Sequence, residues 1–211
     1  MKIILENLNR LVYRHTRKFN VLKIKSLDSG YHDKDEILLH SMMQILVDYV
    51  EVELSSLYLS SRDENSKLLS EKVIQKIPTS LRFDFLMRNK SRGLKMLEDW
   101  KSMGGINAKN RNDSQALIAR RIEKVYKWWT EERPKRQSPE DLSGMNNFIS
   151  ELRNKKGGDV WELYFSKKLN SQQEDLLKSL SSKIEMIEMH HYREDKNMME
   201  ELVGLSPHLW T

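Results

Sequence analysis

The sequence predicts an all-α protein: a helical bundle with two long helices, at about 34–60 and 171–203, and several shorter helices packed with them. Three observations carry this expectation. Apolar residues recur at steps of three and four through most of the 211 residues, the period of a helix with one covered face. Capping residues, Gly and Pro sit between those runs, where helices start and stop. Period-two alternation is nearly absent, "LRFDF" at 81–85 being the one passable strand.

The elements follow in order. "MKIILENLNRLVYRHTRK" breaks its apolar stretch with Glu6, Asn7, Asn9 and Arg10, which reads as an amphipathic helix and not a secretion signal. In "HDKDE", Asp33 stands at an N-cap with Glu36 three residues on, the spacing of a capping box. The chain then runs to about Ser60 without Gly or Pro. Leu38, Met42, Ile45, Tyr49, Val52 and Leu59 make one apolar stripe, and Leu39, Met43, Leu46, Val50, Leu54 and Leu57 an adjacent one. His40, Gln44, Asp48, Glu51 and Ser55 are left as a narrow polar strip.

A weaker helix over 64–77 ends before Pro78, and another over 91–103 is stopped by Gly104-Gly105. Asp113 is placed to cap "SQALIARRIEKVYKWWTEER", which Pro134 closes. Ser138, Pro139 and Asp141 restart the chain as cap, first turn and N3. "NKKGGD" at 154–159 is the best candidate for a flexible joint within a single all-helical domain, 1–211. Ser171 and Glu174 form a second capping-box spacing, opening a last helix that Gly204 ends. The apolar Leu205, Leu209 and Trp210 are expected to fold back on the bundle or to dock on a neighbouring subunit.

Composition narrows the chemistry. Charged residues make up 32% of the chain and its mean hydropathy is −0.68. No apolar run approaches the ~18–20 residues a bilayer span needs. The chain has no cysteine, which excludes disulfides, zinc–thiolate sites and thiol nucleophiles and makes the cytoplasm the expected compartment. The net charge of +5 is unevenly spread: about +6 over 1–27, −5 over 28–76, +8 over 82–136 and −4 over 171–211. Such blocks either pair within the fold or expose a basic face to a polyanion. "GGIN" and "KKGGD" lack the spacings of phosphate-binding loops, and no Ser has a nucleophile-elbow context.

Three constellations remain. In the last helix, Leu177, Leu180, Ile184 and Ile187 step along one seam that then meets His191 and Glu194 before Met198. Glu188, His191 and Asp195 project toward one side at spacings of three and four. With His40, Asp48 and Glu51 of the first long helix they could supply a divalent-metal site, although a second Glu-x-x-His is missing. The other reading is a polar seam that hydrogen-bonds across the bundle and fixes helix register. His32-Asp33 matches a dipeptide of metal phosphohydrolases, for which His15 and Asp84 or Asp99 would have to converge.

The third constellation is basic and aromatic. Arg120, Arg121, Lys124, Lys127, Trp128, Arg133, Lys135 and Arg136 offer guanidinium and ammonium groups for phosphates and an indole for base stacking. Arg10, Arg14, Arg17 and Lys18 add to the basic character. Against that, Ile118, Ile122, Val125 and Trp129 form a helical stripe, which puts Trp129 in the core and Trp128 at its edge.

Three segments together resemble a group of uncharacterised helical proteins of tailed bacteriophages: "YHDKDEILLHSMMQILVDYVEVE" (31–53), "VYKWWTEERPKR" (125–136) and "YREDKNMMEELVGLSPHLWT" (192–211). The shared features are the Val-Glu-x-Glu run, the Tyr-x-Trp-Trp segment followed by Arg-Pro, and the final Leu-Trp-Thr. They cover about a quarter of the chain. "GLSPH" stands where an isoleucine–arginine step is expected, so no role passes to an arginine there. The resemblance implies phage origin and the cytoplasm of an infected bacterium, and it transfers no catalytic residue. The expected function is that of a phage accessory protein acting by binding, without a cofactor, on a host or phage protein or a nucleic acid or nucleotide-containing ligand. Homo-oligomer formation is compatible with it and a membrane partner is not expected. The alternatives are a metal-dependent helical hydrolase and a virion structural or assembly protein.

Overall fold

The computed structural model describes residues 22–62, 69–76, 87–103, 111–156 and 169–209. Among them the regular structure is all helical, with no strand. The expected N-terminal helix, "LRFDF", Gly104-Gly105 and Trp210 lie outside the described residues, as do 157–159 of the expected joint; 154–156 are helical. The chain divides into two compact units, 1–93 and 94–211.

In the first unit, α1 (Lys34–Asp48) runs into a π-helical turn (Tyr49–Leu54) and on into α2 (Ser55–Ser61). The backbone stays right-handed at both junctions. One expected stripe is the core up to Leu54: Leu39, Met43, Leu46, Val50 and Leu54 are buried, and Leu57 at its end is exposed. The other is only partly covered, with Leu38 and Ile45 exposed. Most of the polar strip is covered, with Asp48 and Glu51 half-buried. His40, Gln44 and Ser55 are buried, and each finds a partner. Helix α3 (Leu69–Lys76) follows, and α4 (Lys90–Met103) begins in this unit.

The π turn explains how α4 starts. Its wider spacing loosens the carbonyl ladder, and the Glu51 carbonyl accepts the Asn89 N–H at 2.7 Å. The Asn89 side chain in turn accepts the Arg92 N–H at 2.9 Å, capping α4. Backbones meet closely here: a Cβ on Gly93 would stand 1.9 Å from the Val50 carbonyl oxygen.

The second unit holds α5 (Arg111–Lys127), a π turn (Trp128–Glu132), a 3-10 turn (Arg133–Lys135), α6 (Pro139–Ser143), α7 (Met145–Lys156), α8 (Ser171–Leu205) and a 3-10 turn (Ser206–His208). Helix α8, with 35 residues, is about 52 Å long at 1.5 Å per residue. It packs against α5, α6 and α7. At its start, Leu177 and Leu180 join Met145, Phe148, Leu152 and Leu169 in one apolar cluster. At its end, Leu202 and Leu205 are buried, and Leu209 folds back into the core.

Several caps differ from expectation. Asp33 is the N-cap of α1 by backbone position, but its side chain makes no cap bond; Glu36 instead meets His32 at 3.1 Å. The capping box of α8 is Asn170 with Gln173, one residue before Ser171 and Glu174, because the amide pair satisfies both backbone donors reciprocally. Helix α5 begins at Arg111, so Asp113 is inside it. Gly204 does not stop α8; it admits Arg121, whose guanidinium would be 3.2 Å from a Cβ there. Ser138 caps α6 as expected, accepting the Asp141 N–H at 3.1 Å. Gly144, at φ 87°, ends that helix in the left-handed region.

Candidate functional site

The seam of α8 changes character where it passes the second π turn. Its apolar ends flank a polar middle in which His191, Glu194 and Asp195 are half-buried. The π turn puts Trp128 and Trp129 side by side, with ring centres 6.1 Å apart. Trp128 is the more deeply buried of the two, at 2% exposure against 8%, so it lies in the core and not at its edge. A buried indole N–H must be bonded. Trp128 Nε1 donates to Glu194 Oε1 at 2.9 Å. The carboxylate in the seam is therefore the acceptor that lets a tryptophan be buried.

Two arginines complete the cluster. Arg136 Nη1 donates to Asp195 Oδ1 at 2.6 Å, and Arg133 Nη2 to Asp195 Oδ2 at 3.1 Å. Arg136 Nη2 lies 2.7 Å from Glu194 Oε2 without an aligned hydrogen bond, so that contact is coulombic. Each guanidinium also covers an indole: Arg133 stands 4.9 Å from the Trp129 ring centre, and Arg136 5.3 Å from that of Trp128. Cations stacked on rings and bonded to carboxylates are held in place from two sides.

The basic–aromatic set thus divides. Trp128, Arg133 and Arg136 are engaged with carboxylates of α8. Arg121 pairs with Glu201 at 2.6 Å, and that hydrogen bond holds the Glu201 carboxyl below its ordinary range. Lys127 is exposed but meets Glu123 at 2.8 Å. Burial alone would raise the Glu123 carboxyl, yet Lys101 and Lys127 outweigh it and bring it down. Arg120, Lys124 and Lys135 are exposed and have no carboxylate at ion-pair distance among the described residues. Leu117, Arg120, Lys124 and Lys127 form one outer stripe of α5 at helical spacing.

Of the residues proposed from sequence for a metal site, His40, Asp48, Glu51 and Asp195 hold other partners. In the first unit, His40 Nδ1 and the Ser26 hydroxyl share a hydrogen bond at 2.8 Å. The Gln44 side chain accepts the Lys25 N–H at 3.0 Å and donates to Asp48 at 2.9 Å. Arg88 bonds both Asp48 and Glu51, the latter at 2.6 Å, so a guanidinium supplies the positive charge between those carboxylates. Burial alone would lower the Arg88 pKa; the two carboxylates more than reverse it. In the second unit, Asp195 holds two arginines, Glu188 is exposed, and the His191 ring meets His190 edge-on at 6.3 Å. Among the described residues no group of three His, Asp or Glu side chains is placed to hold a metal ion.

The sequence did not single out Arg88 or Glu201. Arg88 is 37 and 40 residues from its partners, so nothing local marks it. Glu201 sits three positions after Met198 on the covered side of α8, a signal that periodicity contains. No helix among the described residues is long and apolar enough to cross a membrane. Comparison with known proteins finds no matching family model, no similar curated protein and no similar solved structure.

Proposed function

We propose that this chain is a phage accessory protein that acts by binding and not by catalysis, and that the outer stripe of α5 receives an anionic partner. One observation supports this most. Of the cations around the two tryptophans, Arg121, Arg133 and Arg136 are spent on carboxylates of α8, while Arg120 and Lys124 stand exposed on one face with no carboxylate at ion-pair distance among the described residues, Lys124 acting on Glu201 only from farther off, and Lys127 is next in line. Exposed cations one helical turn apart attract closely spaced phosphates and cost little to desolvate at the surface. The partner class that fits is a nucleic acid or a nucleotide-containing ligand. Phage origin rests on the three resembling segments.

The test is retention on heparin and a mobility shift of labelled DNA or RNA at about 150 mM salt. The double variant Arg120→Glu, Lys124→Glu is expected to bind at least ~10-fold more weakly, with the salt dependence reduced by about two phosphate contacts. Binding that ignores this double charge reversal removes the stripe from the account.

A further inference from the structure

The outer face of α8 is uncovered among the described residues. Opposite the seam, Met186, Met189 and Tyr192 are 65%, 51% and 55% exposed. Single exposed apolar residues are ordinary, but three within two turns on one face form a contiguous patch. Along the same stripe lie Lys178, Ser182, Glu185, Arg193, Lys196 and Glu200, all exposed.

The charges on this stripe have an order. Lys178 and Glu185 precede Met189 as plus then minus, and Arg193 and Glu200 follow it as plus then minus. The sign therefore inverts on reflection through Met189. A two-fold axis at Met189 that sets two such helices antiparallel would place Met189 against itself and Met186 near Tyr192. The residues four positions either side, Glu185 and Arg193, would face each other, and so would Lys178 and Glu200, eleven positions either side. A parallel pair in register would instead set Glu185 against Glu185 and Arg193 against Arg193, which repel. Glu185, Arg193 and Lys178 have no ion pair among the described residues, and Glu200 has only a loose contact of 3.9 Å with Lys196.

We propose that this face binds the same face of a second copy of the chain, antiparallel and two-fold symmetric about Met189. Isologous pairing needs a surface complementary to itself, and the stripe meets that requirement in both its apolar centre and its flanking charges. The contact is narrow, one helix face with charged flanks, so the dimer is reversible and concentration-dependent. This inference concerns α8 and stands independently of the α5 stripe.

Sedimentation velocity of the full chain from about 1 to 300 µM tests it, with circular dichroism to confirm that each variant folds. A monomer–dimer equilibrium is expected. Glu185→Arg or Arg193→Glu alone should weaken it at least tenfold, and the two together should restore it, because the swapped charges again face one another. Met189→Glu should leave a monomer. Because the chain has no cysteine, introduced thiols give a second readout. Met189→Cys should form a disulfide-linked dimer, and a mixture of Met186→Cys and Tyr192→Cys chains should cross-link to each other in preference to themselves. A monomer at every concentration, a double swap no better than either single, or Met186→Cys and Tyr192→Cys chains that link to themselves in preference to each other would overturn the proposal. So would a Met189→Glu chain that loses some other ligand while its assembly state is unchanged.

Discussion

Asp195 shows how much one side chain can decide. It is 16% exposed and bonded to two guanidinium groups that are 26% and 17% exposed. Fully exposed pairs contribute ~0–1 kcal/mol, and breaking a buried one costs ~3–5 kcal/mol. Asp195→Asn keeps the volume and removes the charge, so a loss of about 2 kcal/mol in urea unfolding is expected. A loss under about 0.5 kcal/mol would make these ordinary surface pairs. His32 offers a test in pH. Glu36 and Asp28 both bond its ring, which raises its pKa, while the Gly30 N–H and His32 lower that of Asp28. A raised His pKa gives a contribution that is complete below the unfolded value, ~6.5, and lost as pH rises through the folded value. For Asp28 the sign is opposite: its contribution is lost as pH falls through its lowered pKa. The clamp at the start of α1 therefore works between those limits. Proton NMR should find His32 titrating above the usual histidine range, and Asp28→Asn or Glu36→Gln should bring it back down.

At the scale of elements, the helical periods, the Ser138 cap and the burial of Ile122, Val125 and Trp129 were legible in sequence, because each depends on neighbours within a turn or two. The π turns were not. Both occur where a buried polar or aromatic cluster meets another segment: Glu51 offers its carbonyl to Asn89, and Trp128 its indole to Glu194. An α-helical register would have continued the apolar stripe, so periodicity alone cannot mark them. The first π turn yields a direct prediction. Gly93→Ala places a methyl 1.9 Å from the Val50 carbonyl oxygen, backbone that cannot rotate away. It should cost about 3 kcal/mol, where the same change on an exposed helix gains up to ~1 kcal/mol. Thermal unfolding of Gly93→Ala distinguishes the two signs.

On the scale of the molecule, charge blocks of opposite sign meet inside the second unit. Acids of α8 neutralise Arg121, Arg133 and Arg136, which reduces the basic surface that the sequence advertises. The metal-dependent alternative is open to a direct test. With Arg88 between Asp48 and Glu51 and two arginines on Asp195, purified protein should carry no stoichiometric metal. A chelator should leave its midpoint of unfolding unchanged, since no bound ion would be removed. Elemental analysis with a thermal scan decides this, and stoichiometric metal would put the hydrolase ahead of the binding reading. Mass spectrometry of purified particles separates an accessory protein from a virion component.

By itself the sequence determined the helical class, the spans of the long helices and the face of α8 that is covered, because these follow from local period and composition. It also placed His191, Glu194 and Asp195 on the covered face. What those polar groups do was decided only by tertiary structure. Arg88, Arg133, Arg136 and Trp128 come from segments distant in the chain, and electrostatics and hydrogen bonding depend on separation in space. Folding set Asp48, Glu51 and Asp195 of the candidate metal shell, and Arg121, Arg133 and Arg136 of the candidate polyanion set, into ion pairs within their own units.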